Sequence, residues 1–393
     1  MRTLPQWLDW QQRQHPQSIA LGLDRVREIY ARLQLPSPRR CVTIAGTNGK
    51  GTVAHALDAL ATARSWRTGR YTSPHLYRYN ERVCLGGTPV DDATLCDAFE
   101  AIESVRGQIP LTFFEYGTLA ALWVFARADV DLTILEVGLG GRLDATNIVD
   151  ADHAVLCSLS LDHQDWLGSD LQGIAREKAG ICRPGRPAWI ASVEAEPLYR
   201  AVLGPEVGPV YVLGRDFPSW SEAQPFGLPP ESLAVAKAVD GALAEEAEQS
   251  SADMVLRTLQ IPGRCERRLE GDLEYLLDVA HNPAAAERLA QTIRSLPPLP
   301  TALVVGMQAD KDMGAVCRQL QEQADAVFCC SLPPPRGAQA EALSAFFKGL
   351  PCQAHPNPAS AVQAARQWLA NEGGAGRIII CGSFVTLGES GLG

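Results

Sequence analysis

A lysine amine among closely spaced glycines is the first feature that could do chemistry. The stretch CVTIAGTNGKGTVAHAL, residues 41–57, reads as a buried strand, a tight turn and a helix. A glycine-rich turn in that place aims backbone N–H groups inward. The helix N-terminus adds partial positive charge, and a lysine there neutralises phosphate. Gly46, Thr47, Asn48, Gly49, Lys50, Gly51 and Thr52 are therefore expected to cradle a polyphosphate. The strict pattern G-x-x-x-x-G-K-[ST] is not met. Ile44 stands where its first glycine would be, and Gly51 directly follows Lys50, with Thr52 one residue later. The plainer alternative is an ordinary Gly/Asn turn capped by a threonine.

Other polar groups end buried runs. In LTILEVGLGGRLDATN, Glu136 closes an apolar strand. A lone carboxylate there is costly unless it meets a cation. Magnesium held against phosphates fits, because Mg²⁺ takes few carboxylates and shares phosphate oxygens; an ion pair with Arg142 is the alternative. In SLSLDHQDWLG, His163 lies between Asp162 and Asp165. A metal ligand, an acid/base group and an incidental histidine in a helix-capping loop are all open. Ser73 in TSPHL could lend a hydroxyl to a metal, although Ser-Pro is also a common turn. REKAGI, residues 176–181, reads by itself as a solvated helix face. In LLDVAHNP, Asp278 and His281 end a strand where Pro283 opens a helix, a polar ligand edge.

The elements that must hold these groups alternate strand and helix. Strand-like runs cover residues 41–45, 132–137, 153–159, 188–191, 273–279, 302–305, 326–330 and 377–381. Helix-like stretches include 52–63, 116–128, 171–179, 284–293 and 360–370. The alternation predicts an α/β fold of mainly parallel sheets with helices on both faces, and ligands beyond the carboxyl ends of the strands. LQIPGRCERRLEGD marks a division, giving domains 1–260 and 261–393. The stretch 196–230, rich in Pro and Gly, reads as a loop-rich excursion of the first.

Composition sets outer bounds. The 393 residues fit two or three domains, and 46% hydrophobic residues suffice for full cores. A net charge of −10 speaks against nucleic acid or an anionic membrane as partner. The start MRTLPQWLDWQQRQHP carries Asp9 and no continuous apolar core, so it does not read as a signal peptide. No run reaches the roughly 18 apolar residues of a membrane helix. The 11 cysteines are scattered without a C-x-x-C, as expected for free thiols in a reducing cytoplasm.

The combination says more than any part. GTNGKGT, TSPHL, FFEYGT, ILEVGLGGRLDATN, SLDHQDWLG, REKAGI, PGR, LDVAHNP, VVGMQADKD and CGSF follow one another from Gly46 to Phe384. In that order they resemble the folate-adding branch of the Mur ligase superfamily, the bifunctional dihydrofolate synthases/folylpolyglutamate synthases. The resemblance runs from Leu21 to about Glu389. It implies a P-loop-containing, mainly parallel sheet domain followed by a smaller Rossmann-like α/β domain. It implies an ATP-dependent ligase: ATP phosphorylates a pterin-borne carboxylate, and the amine of L-glutamate displaces the phosphate. ATP is then a co-substrate and Mg²⁺ the cofactor, with two ions in the working complex. Dihydropteroate or reduced folates and L-glutamate are the partners, and a cytoplasmic monomer is expected.

By the same resemblance Lys50 and the Thr47–Gly49 backbone hold phosphates, with Gly51 and Thr52 alongside. Ser73, Glu136 and His163 match the magnesium ligands. Lys178 matches a lysine that becomes carbamylated, which reverses the surface reading of REKAGI. Arg264 and Asp278 match nucleotide contacts, and His281 stands next to the reacting centre. The pterin side corresponds to Ser18, Ile19, Ala20 and Leu21, to Thr112, Phe113, Phe114 and Glu115, and to Leu143, Asp144 and Ala145. Phe113 and Phe114 offer flat apolar surface to a ring, and Glu115 or Asp144 could pair with its amino groups; core packing is the alternative for one of the phenylalanines. Ser232 stands where the family often has an adenine-contacting asparagine, and 194–230 is short against the family. A cell-wall Mur ligase would need a nucleotide-sugar domain ahead of the loop, and 45 residues precede Gly46. A P-loop kinase would leave Lys178, Asp278 and His281 unexplained. Single-activity folylpolyglutamate synthase and an inactive folate-binding protein are the remaining alternatives.

Overall fold

The computed structural model describes residues 2–15, 20–162, 164–221, 227–244 and 249–392. Two compact units emerge. One comprises Met1–Ala223 and Pro229–Leu259; the other comprises Gln224–Leu228 and Gln260–Gly393.

The first unit is built on eight strands: β1 Cys41–Ala45, β2 Thr68–Tyr71, β3 Val83–Leu85, β4 Thr88–Pro89, β5 Leu132–Glu136, β6 His153–Leu156, β7 Ala188–Ile190 and β8 Val210–Val212. Their order is β4-β3-β2-β5-β1-β6-β7-β8. From β2 across to β8 all pairs are parallel; β3 and β4 are added antiparallel at one edge. β1 and β5 are buried along their whole length, the pattern of a sheet covered on both faces. The register levels their ends. Ile44 pairs with Glu136, Ala45 with Leu156 and Tyr71 with Leu135, so four adjacent strands release their chains at one rim. That rim is where an open parallel sheet takes its ligand.

Helices pack against the sheet by their apolar sides. The helix Lys50–Ala63 buries Val53, Ala54, Leu57, Leu60 and Ala61 and packs against the helix Pro230–Leu243. It also delivers Asp58 to Arg70 of β2, a buried pair at 2.8 Å. The helix Phe113–Arg127 begins three residues earlier than its apolar spacing predicts. Thr112 and Glu115 explain the difference, for they form a capping box: Thr112 Oγ1 accepts from Glu115 N, and Glu115 Oε2 accepts from Thr112 N at 2.7 Å. Within 196–230, expected to be loop-rich, a short helix Glu196–Arg200 and β8 are formed.

The second unit has six strands: β9 Glu266–Glu270, β10 Leu273–Asp278, β11 Thr301–Val305, β12 Ala326–Cys330, β13 Cys352–His355 and β14 Gly376–Cys381. They run β13-β12-β11-β14-β10-β9, parallel except for β9 at the edge. Helices Pro283–Ser295 and Met313–Leu320 close a core around Leu276, Leu289, Leu303, Val316 and Ile379. Inside it Arg377 and Glu274 form a buried ion pair at 2.8 Å. All 11 cysteines are free thiols. Among the described residues no helix is long and apolar enough to cross a membrane.

Candidate active site

β1 feeds the chain into a turn, and a helix starts at Lys50. Lys50 curls back over its own turn: Nζ donates to Gly46 O at 2.8 Å and to Thr47 O at 3.2 Å. The amine is thereby held at the mouth of the loop. The segment after β6 anchors the loop from the side. Thr47 N donates to Ser158 O at 2.8 Å, Thr47 Oγ1 donates to Ser160 O at 3.2 Å, and Asn48 N donates to Ser158 Oγ at 3.3 Å. Gly49 has φ +90°, and a Cβ there would come within 2.7 Å of Ser232 Oγ. Ser232, expected at the adenine, thus brings its hydroxyl beside the phosphate loop. Gly51 and Thr52 are buried in the first turn of the helix.

Glu136 ends β5 one strand away and is 4% exposed. Its Oε2 accepts a hydrogen bond from Ser73 N at 3.1 Å, which brings the TSPHL turn to the same rim. Arg142, the alternative cation, pairs with Glu177 at 2.8 Å. Serine hydroxyl and carboxylate oxygens are hard donors of the kind that suits Mg²⁺. His163 lies outside the described residues.

Lys178 is buried at 4% exposure near the end of the helix Leu171–Ala179, which corrects the surface reading of REKAGI taken alone. Burial, reinforced by the charge of Lys50, pulls its amine down to about 7. The loop after β5 fits tightly over this helix end. A Cβ on Gly141 would meet Glu177 O at 2.8 Å and Lys178 Cα at 3.1 Å. An amine in this state is shared between its neutral and protonated forms near neutral pH, where an ordinary lysine would be almost wholly charged.

The three segments expected on the pterin side come together through hydrogen bonds. Gly22 N donates to Leu143 O at 3.3 Å. Arg25 donates through one guanidinium nitrogen to Ala20 O at 2.9 Å and to Glu115 Oε1 at 3.0 Å. Leu21, Phe113, Phe114 and Leu143 are half-buried. The two phenylalanines diverge: Phe113 meets Tyr79 edge-on, while Phe114 leans on Tyr71. Asp144 is buried and has both oxygens engaged. Oδ2 accepts from Gly138 N and Leu139 N, and Oδ1 accepts from Thr146 N and Thr146 Oγ1. Burial raises its pKa while these bonds oppose the rise. Asp144 therefore ties the glycine loop together, with Ala145 buried behind it. Ser18 and Ile19 lie outside the described residues.

In the second unit the candidates gather at the carboxyl end of β10. Asp278 Oδ2 accepts from Cys265 N at 2.8 Å and Oδ1 from Ala280 N at 2.8 Å. Burial raises its pKa, and the neighbouring Arg264 guanidinium lowers it. His281 Nδ1 is 2.9 Å from Val279 O, which fixes the ring. Arg264 lies over the Phe384 ring.

Sequence reasoning did not single out Arg25, Ser158 or Ser160. Ser158 and Ser160 carried a signal, as small hydroxyls directly after a buried strand; Arg25 carried none beyond its place in LGLDRV.

Residues 44–193 match the Mur ligase middle domain, and residues 263–384 match the Mur ligase, glutamate ligase domain. The chain is 39% identical over 407 residues to dihydrofolate synthase/folylpolyglutamate synthase of Escherichia coli, spanning 98% of this chain and 94% of that one. The Mycobacterium tuberculosis protein of the same name is 34% identical over 368 residues, spanning 79% and 74%. Among solved structures, E. coli FolC in complex with DHPP and ADP superposes with a TM-score of 0.91 at 37% identity, covering 98% of this chain and 96% of that one. The Yersinia pestis bifunctional folylpolyglutamate synthase/dihydrofolate synthase complexed with AMPPNP and Mn gives 0.88 at 36% identity, covering 99% and 97%. With identity of this level along the whole chain, and a site assembled at the rim of its parallel sheet, the protein belongs to the dihydrofolate synthase/folylpolyglutamate synthase branch of the Mur ligases, a family of ATP-dependent ligases.

Proposed function

We propose that this chain joins L-glutamate to dihydropteroate, giving dihydrofolate, and to reduced folates, giving polyglutamates, through an acyl phosphate. The observation that carries the reading is the shared rim. Lys50 over its loop, Glu136 at the end of β5 and Ser73 just beyond β2 belong to neighbouring parallel strands with level ends.

The chemistry follows from charge and position. A carboxylate resists an amine, and phosphorylation gives it a leaving group. Lys50 and the amides of Thr47–Gly49, with Gly51 and Thr52 behind them, take the phosphates and neutralise the transferring group. Ser73, Glu136 and His163 would hold magnesium, two ions being expected in the working complex, and the metal would supply charge neutralisation to the phosphates. Lys178 would add CO₂: its neutral amine forms the N–C bond and releases one proton to solvent, leaving a carbamate anion that would help to hold a cation. By the resemblance, Ser232 in the first unit and Arg264 and Asp278 in the second are the nucleotide-contact candidates, and His281 is the second unit's candidate for the ligation step. Ser18–Leu21, Thr112–Glu115 and Leu143–Ala145 hold the pterin. The glutamate amine then attacks the acyl phosphate, and the tetrahedral adduct expels phosphate to leave the amide. The working form is a cytoplasmic monomer.

The test is direct. The protein is incubated with Mg-ATP, L-glutamate and either dihydropteroate or a reduced folate, and products are identified by mass. One added glutamate on each acceptor, with ADP formed, is expected. Lys50→Ala is expected to lose on the order of 10²–10³ in rate with its circular dichroism unchanged. Absence of product from both acceptors overturns the reading.

A further inference from the structure

We propose that Arg25 is a positioning residue for the pterin-bearing acid, an inference that rests on the function just stated. Ala20–Gly22, Thr112–Glu115 and Leu143–Ala145 are remote from one another in the chain. Two links join them. Gly22 N bonds to Leu143 O, and one nitrogen of Arg25 donates to both Ala20 O and Glu115 Oε1.

The Arg25 link does more than close a gap. The Glu115 side chain is 4% exposed and that of Arg25 is 28% exposed. A carboxylate that deep keeps its charge only beside a cation or several donors. Glu115 Oε2 is occupied by Thr112 N, which caps the helix that carries Phe113 and Phe114. Oε1 is turned to Arg25. Without the guanidinium, Oε1 loses its charged partner and Ala20 O loses its donor. The backbone around Leu21 and the first turn of the helix Phe113–Arg127 then drift apart. None of these contacts reaches the phosphate loop, whose anchors are Ser158 and Ser160. Arg25 therefore governs binding of the acid and leaves nucleotide binding and the phosphoryl step alone.

Steady-state kinetics on the full chain separate these effects. Wild type is assayed first with dihydropteroate; if it makes no product, the function itself fails and Arg25 is not the cause. Given activity, Arg25→Gln is expected to raise KM for dihydropteroate about tenfold, with KM for ATP and kcat within about twofold. Arg25→Lys, which restores a charge, is expected to recover most of that loss, and Arg25→Met, which keeps the apolar stem and removes the charge, gives the same readout as Arg25→Gln should that variant not fold. An unchanged KM for dihydropteroate in Arg25→Gln overturns the proposal. So does an equal rise in both KM values, or a Lys variant no better than the Gln variant, because either would mark general loosening.

Discussion

Lys178 shows what burial does to one ionisable group. Unfolded, its amine holds a proton up to the usual 10.5; folded, it does so only up to about 7. Between those values the unfolded chain binds the extra proton, so the stability tied to this residue rises with pH across that window. Lys178→Met should flatten the rise in Tm between pH 7 and pH 10, measured by calorimetry in CO₂-free buffer. With bicarbonate present, intact-protein mass should show one CO₂ on wild type and none on the variant. An identical Tm profile for the two proteins would remove the buried-amine argument. The sequence suggested Lys178 only through the REKAGI resemblance, because its depth depends on Gly141 and the loop lying over it. Glu136 was legible directly, as a charge closing an apolar run. Asp144 was named only through the resemblance, as a partner for ring amino groups, and its four donors come from Gly138, Leu139 and Thr146, a closure that spacing does not reveal.

At the level of elements, the phosphate turn depends on one backbone conformation. Gly49 sits at φ +90°, where an L side chain is strained by about 1–3 kcal/mol, and a Cβ would also press on Ser232 Oγ. Gly49→Ala should therefore weaken ADP binding at least tenfold by isothermal titration, while the circular dichroism of the sheet and helices persists. Full ADP affinity would show that the turn adapts. Central strands were readable because their burial is continuous: β1 and β12 have the predicted bounds, and β5 differs by one residue. Edge strands were not. β9 reads ERRLE and β4 only TP, and neither offers an apolar run. The early start of the helix Phe113–Arg127 was written in T-x-x-E, a signal that apolar spacing overrode.

Across the whole molecule, each unit encloses its own core and its own buried charges. In the second unit Arg377 is 2% exposed and also donates to Pro297 O at 3.1 Å. Arg377→Met leaves Glu274 with Arg267 as its remaining charged partner, so the loss should be about 3 kcal/mol, the low end for a broken buried pair. Hydrogen exchange is the informative measurement. Amides of β10 and β14 should exchange faster, while those of β1 and β5 keep their protection; uniform acceleration would place the stabilising effect elsewhere. The sheet borders have a bearing on behaviour in crowded solution. An unpaired strand edge invites a second molecule to add its own strand. Here one border is two residues long and ends in Pro89, and another is β9, whose five residues include four charges. A foreign chain pairing there would have to strip water from Arg and Glu side chains for a handful of hydrogen bonds. Polymerisation through the β9 border is thereby discouraged by the same short, charged segment that escaped detection as a strand.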